Sequence, residues 1–394
     1  MKNRVKHFLK EHAGMNIPLA FDEAYDLGCY ALEGCRGDQR KSKTKLAQIQ
    51  SITVLSALHN KATYGWKSDG IALEHNGHKL PFNSAEQIAG VCAAIFEQDI
   101  GKSEFKYLKP NVPYAMDNCG MGGDLITTAN VSTIAALIAS AAGIPMCKHG
   151  SPANADAGRH GSSDFVSLLG INTKATRIQV QKCVEDESFG YTEALDTRYK
   201  LIHMQTHKVA MLPHMNDIIG PITNPLSPHI MTRRVLGVNH LINPRIIAEA
   251  YQILNKRGCT DMQYCLIVRG FAKTGRCEGM DEVSICESGT QVAELKDGVI
   301  KEYHLTASDF GLTPVSQASI SPPNGMSKGE FSLAILKGEI GGPPLQMVLA
   351  NTALLFYLAE RSADLKECYN LAKTVYESGG AYRKALAVSK GLPV

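Results

Sequence analysis

Between Asp117 and Gly170 the chain gathers residue types that can handle phosphate. A run at 113–119 can feed a short strand, after which Gly120, Gly122, Gly123 and Asp124 make the turn GMGGD. Glycines there permit backbone conformations and close approaches that a side chain would block. Asn130, Ser132 and Thr133 then stand before IAALIASAAG, an apolar, Ala-rich run of helix length that stops at Gly143. A helix start offers unpaired N–H groups and the positive end of the helix dipole, so this loop can cradle phosphate or pyrophosphate. Lys148 adds a cation where a strand predicted at 144–147 gives out. GMGGD is neither a P-loop nor the dinucleotide fingerprint GxGxxG, and a plain strand-to-helix turn would use the same glycines. From the loop alone both readings stay open.

The elements that would carry these residues change character along the chain. Residues 21–32, 45–59 and 84–98 place apolar side chains at helical spacing, with Ser84 and Gln87 in a capping-box pattern. The polar, glycine-punctuated stretch 63–81 reads as a loop or hairpin insertion. Beyond residue 110, short β-rich runs at 144–147, 263–268 and 282–285 alternate with helices, the pattern of a sheet with crossover connections. A helix is expected at 162–169 with Ser162 or Ser163 capping it and Asp164 in its first turn, a rigid turn at 220–228, and a hairpin at 289–303 around Asp297-Gly298. Helices close the chain at 345–360 and 365–377. The fold class is α/β: a mainly helical domain over 1–110, with a later helical contribution from 172–225, and a larger α/β domain over 111–394 with a mostly parallel central sheet.

With 394 residues, 44% of them hydrophobic, the chain exceeds the roughly 250 to 300 residues that one core usually serves. A net charge of +3 is too small to point to nucleic acid. The 11 cysteines lack any CxxC pair, and no stretch approaches the ~18 apolar residues of a membrane span. A cytoplasmic protein without nucleic-acid or membrane partners is expected.

GMGGD, NVST, KHG and GSSD, followed by GPITNP at 220–225 and GMDE at 279–282, resemble in order and spacing the motifs of the anthranilate phosphoribosyltransferase family, whose forms are close to GTGGD, NxST, KHGN, GSAD, GPLTNP and GxDE. The resemblance implies a small helical domain joined to an α/β domain, phosphoribosyl pyrophosphate as donor, Mg²⁺, and a homodimer. It assigns Gly120, Gly122, Gly123, Asp124, Asn130, Ser132, Thr133 and Lys148 to the donor, and Ser132, Asp281 and Glu282 to the metal. Mg²⁺ favours carboxylate and hydroxyl oxygens together with substrate phosphates; without the flanking motifs, an Asp-Glu pair reads as a solvated turn. No side chain is assigned as a catalytic nucleophile or base.

On the acceptor side the chain departs from the family. Ser151-Pro152 stands for Asn-Arg, DTRYK at 196–200 for HHPAM, and His207 where an Arg would meet the anthranilate carboxylate. A bidentate Arg is replaced by a weaker, pH-dependent group, so an aromatic or heterocyclic amine other than anthranilate is expected, with Ser151, Arg198 and His207 as candidate acceptor residues. Two rivals stand beside this reading. A pyrimidine-nucleoside-phosphorylase-like enzyme lacks support because KHG replaces the SGRGxGHTGG loop. A non-catalytic binding protein draws on Met121 in place of the usual Thr, although both metal carboxylates remain.

Overall fold

The computed structural model describes residues 8, 18–35, 42–64, 74–75, 78–79, 84–124, 126–152, 161–196, 198–202, 214–272 and 279–394. They fall into two compact units.

The first comprises Met1–Tyr107, Ala194–Pro225 and Leu241–Thr260. It is built on α1 (Phe21–Cys35), α2 (Ser42–Tyr64) and α3 (Ser84–Ile95), joined by α7 (Asn216–Ile222) and α8 (Pro244–Lys256). Helices α1 and α3 cross closely because Gly90 has no side chain: a Cβ there would lie 2.3 Å from the Phe21 carbonyl oxygen. The expected capping box at Ser84 and Gln87 is not what these residues form. Ser84 Oγ donates to Ala62 O at 2.8 Å, while Gln87 donates to Leu58 O at 2.8 Å and accepts from Leu19 N at 3.2 Å. Both side chains are buried, and tertiary hydrogen bonds satisfy them better than a local cap would. The stretch 63–81 contains a short antiparallel pairing, β1 (Glu74–His75) with β2 (His78–Lys79). Gly220 and Pro221 lie inside α7, not in the rigid turn expected from their residue types. Pro221 has no N–H to offer the Asp217 carbonyl, and the helix ends one residue later at Ile222.

The second unit, Leu108–Glu193, Leu226–His240 and Asp261–Val394, holds the main sheet. Strands β3 (Met116–Gly120), β4 (Met146–Gly150), β5 (Phe189–Glu193), β6 (Arg233–Gly237) and β7 (Tyr264–Phe271) pair in parallel in the order β7-β6-β3-β4-β5. The antiparallel hairpin β9 (Thr290–Lys296) and β10 (Val299–Leu305) extends the β7 edge, and β8 (Gly279–Met280) pairs with the end of β7. Asp297 and Gly298 turn the hairpin at φ 49° and 81°, as their sequence predicts. Helices α4 (Val131–Ala141), α5 (Ser162–Leu168) and α6 (Arg177–Glu187) connect the parallel strands. After α9 (Lys328–Lys337), the largely buried α10 (Gly342–Leu358) packs on α4 and is followed by α11 (Leu365–Glu377) and α12 (Gly380–Gly391).

Two local expectations are corrected here. The segment 282–285 is not a strand: the Asn351 amide accepts from Val283 N at 2.9 Å and donates to Val283 O at 3.1 Å, taking the backbone bonds a ladder would have used. The cap of α5 is Gly161, whose N–H donates to Asp164 Oδ2 at 2.8 Å, so neither Ser162 nor Ser163 caps it. Among the described residues no helix is long and apolar enough to cross a membrane.

Candidate functional site

The sheet places its chemistry at the C-terminal ends of β3 and β4, the edge at which parallel α/β sheets hold ligands. Gly120 ends β3, and a Cβ on it would fall 1.9 Å from Asp281 Oδ2, so only glycine leaves room for that carboxylate. Gly122 and Gly123 adopt φ of 71° and 75°, the left-handed region that glycine enters at little cost. The turn is tied by backbone and side chains together. Gly122 N donates to Asp281 Oδ2 at 2.6 Å, Asp281 N to Asp124 Oδ1 at 3.1 Å, and Asn239 Nδ2 to Gly122 O at 2.9 Å.

Lys148 in β4 is fully buried and points along the sheet edge, donating to Asn118 O at 2.6 Å and to Ser132 Oγ at 3.1 Å. Asn118 Nδ2 donates to Ser132 O at 2.7 Å, so the end of β3 and the first turn of α4 are braced on the same lysine. Helix α4 starts at Val131, which puts Ser132 and Thr133 inside its first turn and Asn130 at its N-cap. Thr133 Oγ1 and Asn118 Oδ1 are buried polar atoms without a partner.

Three carboxylates crowd the turn. Burial, and then the neighbouring Asp281 charge, hold Asp124 well above the usual carboxylate range. Burial and Asp281 likewise push Glu282 up to about 8, against the opposing pull of Lys328, of the hydrogen bond from Thr128 Oγ1 at 3.0 Å, and of Lys148. Burial and mutual repulsion make it costly for this cluster to carry its full negative charge, a cost that a bound divalent cation would relieve. Among the described residues no three His, Cys, Asp or Glu side chains are grouped so as to hold a metal ion by themselves. Mg²⁺ usually takes one or two protein carboxylates and completes its shell with phosphates and water.

The donor residues expected from sequence therefore lie in one unit, linked by a short set of hydrogen bonds. Asp281 and Glu282 adjoin the glycine turn, whereas Ser132 is engaged with Lys148. Sequence reasoning missed Asn239, Thr128, Lys328 and Ser332. Asn239 and Thr128 had one available signal, a polar residue just beyond β6 and just before α4, and the other two had none.

The two described acceptor candidates belong to different units. Ser151 is exposed, and its carbonyl accepts from Ser163 N at 3.1 Å. In the helical unit the Arg198 guanidinium is committed to Asp196, with Nε at 2.8 and 2.9 Å from the two carboxylate oxygens, and lies over the Phe105 ring. His207 and the loop 153–160 lie outside the described residues.

The a/b domain of a glycosyl transferase family matches residues 112–382. An anthranilate phosphoribosyltransferase of Clostridium kluyveri is 30% identical over 320 residues, covering 80% of this chain and 85% of its own. The crystal structure of anthranilate phosphoribosyltransferase from Thermus thermophilus superposes with a TM-score of 0.72 at 26% identity, covering 99% of both chains. In fold, the Saccharomyces cerevisiae enzyme in complex with PRPP and Mg is similar at a TM-score of 0.74 and 22% identity, covering 99% of this chain and 97% of that one.

Proposed function

The chain belongs to the anthranilate phosphoribosyltransferase family of glycosyl transferases, and from that premise we propose that it transfers phosphoribose from phosphoribosyl pyrophosphate (PRPP) to an aromatic or heterocyclic amine. In the reaction the bond between ribose C1 and pyrophosphate breaks, the acceptor nitrogen bonds to C1 and gives up a proton, and pyrophosphate leaves. The observation that carries this reading is the gathering of the half-buried Asp281 and Asp124 on the Gly120–Gly123 turn, with the buried Glu282 next in the chain and the Lys148–Ser132 pair on the neighbouring strand and helix.

Bound there, Mg²⁺ would supply positive charge to the leaving pyrophosphate, held by Asp281 and Glu282. The residues of the chain have complementary tasks. The Gly122 and Gly123 backbone lets the donor approach, Lys148 counters phosphate charge, and Asn130, Ser132 and Thr133 present polar groups at the start of α4. The same assignment extends to Gly120, Asp124 and the Ser132 hydroxyl as donor and metal contacts.

Anthranilate is proposed to be a poor acceptor. Support comes from Ser151-Pro152, DTRYK at 196–200 and His207, together with an Arg198 whose charge Asp196 already neutralises. A steady-state assay of pyrophosphate release tests this. Anthranilate turning over at about 1 s⁻¹ or faster, the low end of ordinary enzyme rates, would refute it. Release with another aromatic amine or nitrogen heterocycle is the expected result, and His207→Arg is expected to gain anthranilate activity. A cytoplasmic homodimer completes the proposal; Ile49 on α2 is 61% exposed, and light scattering that finds a monomer at micromolar concentration would remove the dimer.

A further inference from the structure

Helix α9, to which the motifs give no role, touches the start of α4 through one hydroxyl. Ser332 Oγ accepts from the Asn130 backbone N–H at 2.7 Å and from Asn130 Nδ2 at 3.1 Å, and donates to Lys328 O at 2.6 Å. A serine hydroxyl has one proton and two lone pairs, so its capacity is fully used. Ser332 is completely buried and Asn130 nearly so, which excludes water as a substitute partner.

Asparagine is among the preferred N-cap residues because its side-chain oxygen accepts an N–H from the first helical turn. Asn130 occupies the N-cap of α4 with φ −77° and ψ 63° and makes no such bond; Ser332 holds its amide instead. The Asn130 carbonyl still accepts from Thr133 N and Ile134 N, both at 3.1 Å, so what Ser332 withholds from the helix start is the side-chain cap alone.

We propose that Ser332 is a positioning residue for donor binding, holding the Asn130 amide away from α4 so that the first-turn N–H groups not bonded to the Asn130 carbonyl remain open to a phosphate oxygen. This rests on the donor reading above. Calorimetry of PRPP with Mg²⁺, paired with melting curves of the ligand-free protein, tests it on three variants. Ser332→Ala is expected to weaken binding about 10-fold, the scale of one buried donor left unpaired. Ser332→Thr keeps the hydroxyl and is expected to bind within about threefold of wild type. Ser332→Cys keeps the side-chain size but accepts hydrogen bonds poorly, so it is expected to bind nearly as weakly as Ser332→Ala while the ligand-free protein melts within a few degrees of wild type. This separation of binding from stability is one that a merely structural role would not produce, and it can be read even if Ser332→Ala fails to fold. Wild-type affinity in Ser332→Cys or in a folded Ser332→Ala, or affinity in Ser332→Thr as low as in the alanine variant, would overturn the inference alone. No binding by the wild-type protein would overturn the donor reading and this role with it.

Discussion

The proposed donor and acceptor sides are built differently. On the donor side, the ends of β3 and β4, the GMGGD turn and the segment after β8 are fixed to one another by the Asp281–Gly122, Asp124–Asp281, Asn239–Gly122 and Lys148–Ser132 hydrogen bonds within one sheet domain. The two described acceptor candidates, Ser151 and Arg198, stand in different units. Ser151 is exposed, and Arg198 is neutralised by a residue of its own turn. The residues proposed to hold the highly charged donor sit at or just beyond strand ends, where the sheet sets their positions. Those proposed to meet the acceptor sit on connections, where a sequence can change without cost to the core.

The comparison breaks most readily at the buried charges. Lys148→Met removes a fully buried cation from between Asn118 O and Ser132 Oγ, and is expected to weaken PRPP binding by about 100-fold or more, read by calorimetry. Replacing Asp281 and Glu282 with Asn and Gln is expected to erase the Mg²⁺-dependent part of donor binding without lowering Tm, because mutual repulsion is lost along with the charges. Gly120→Ala pushes a methyl against the Asp281 carboxylate and is expected to cost about 10-fold in donor affinity with little loss of stability. Gly237→Ala meets the Asp281 backbone carbonyl at 1.6 Å, so it should instead lower Tm.

Smaller effects are expected in the helical unit. Burial pushes Asp217 up to about 6, while burial, with the neighbouring His59, lowers His214 to about 4. The raised Asp217 contributes stability that is lost as pH rises through 6. The depressed His214 contributes stability that is gained as pH rises from 4 towards its unfolded value near 6.5, so the two oppose each other across that window. Asp217→Asn is expected to add on the order of 1 kcal/mol at pH 7 and to leave a stability that climbs between pH 4 and 6.5, measurable by denaturant titration. Arg198→Ala should change stability by about 1 kcal/mol or less, and acceptor turnover by less than about threefold, since its charge is already paired.

The parallel sheet with an antiparallel hairpin at its edge was legible because its strands are short β-rich runs between turn signals, and Asp297-Gly298 specified its own turn. The glycine turn and the helix start after it were legible because glycines that take positive φ and an Ala-rich apolar run leave local marks. Two of the misreadings occurred where distant partners replaced local ones. Asn351 takes the backbone bonds of Val283, and Leu58 and Leu19 take the Gln87 amide; in each case the partner lies tens of residues away along the chain. Lys328 and Ser332 were invisible for the same reason, because they join the site through packing of α9 rather than through a motif.

The donor assignment is tested most directly by titrating PRPP into the protein with and without Mg²⁺ in a calorimeter. Saturable binding that strengthens at least about 10-fold with the metal, and loses that gain in the Asp281→Asn, Glu282→Gln protein, is the expected result. Absence of binding heat at millimolar PRPP with Mg²⁺ present, or binding indifferent to the metal, would contradict the account.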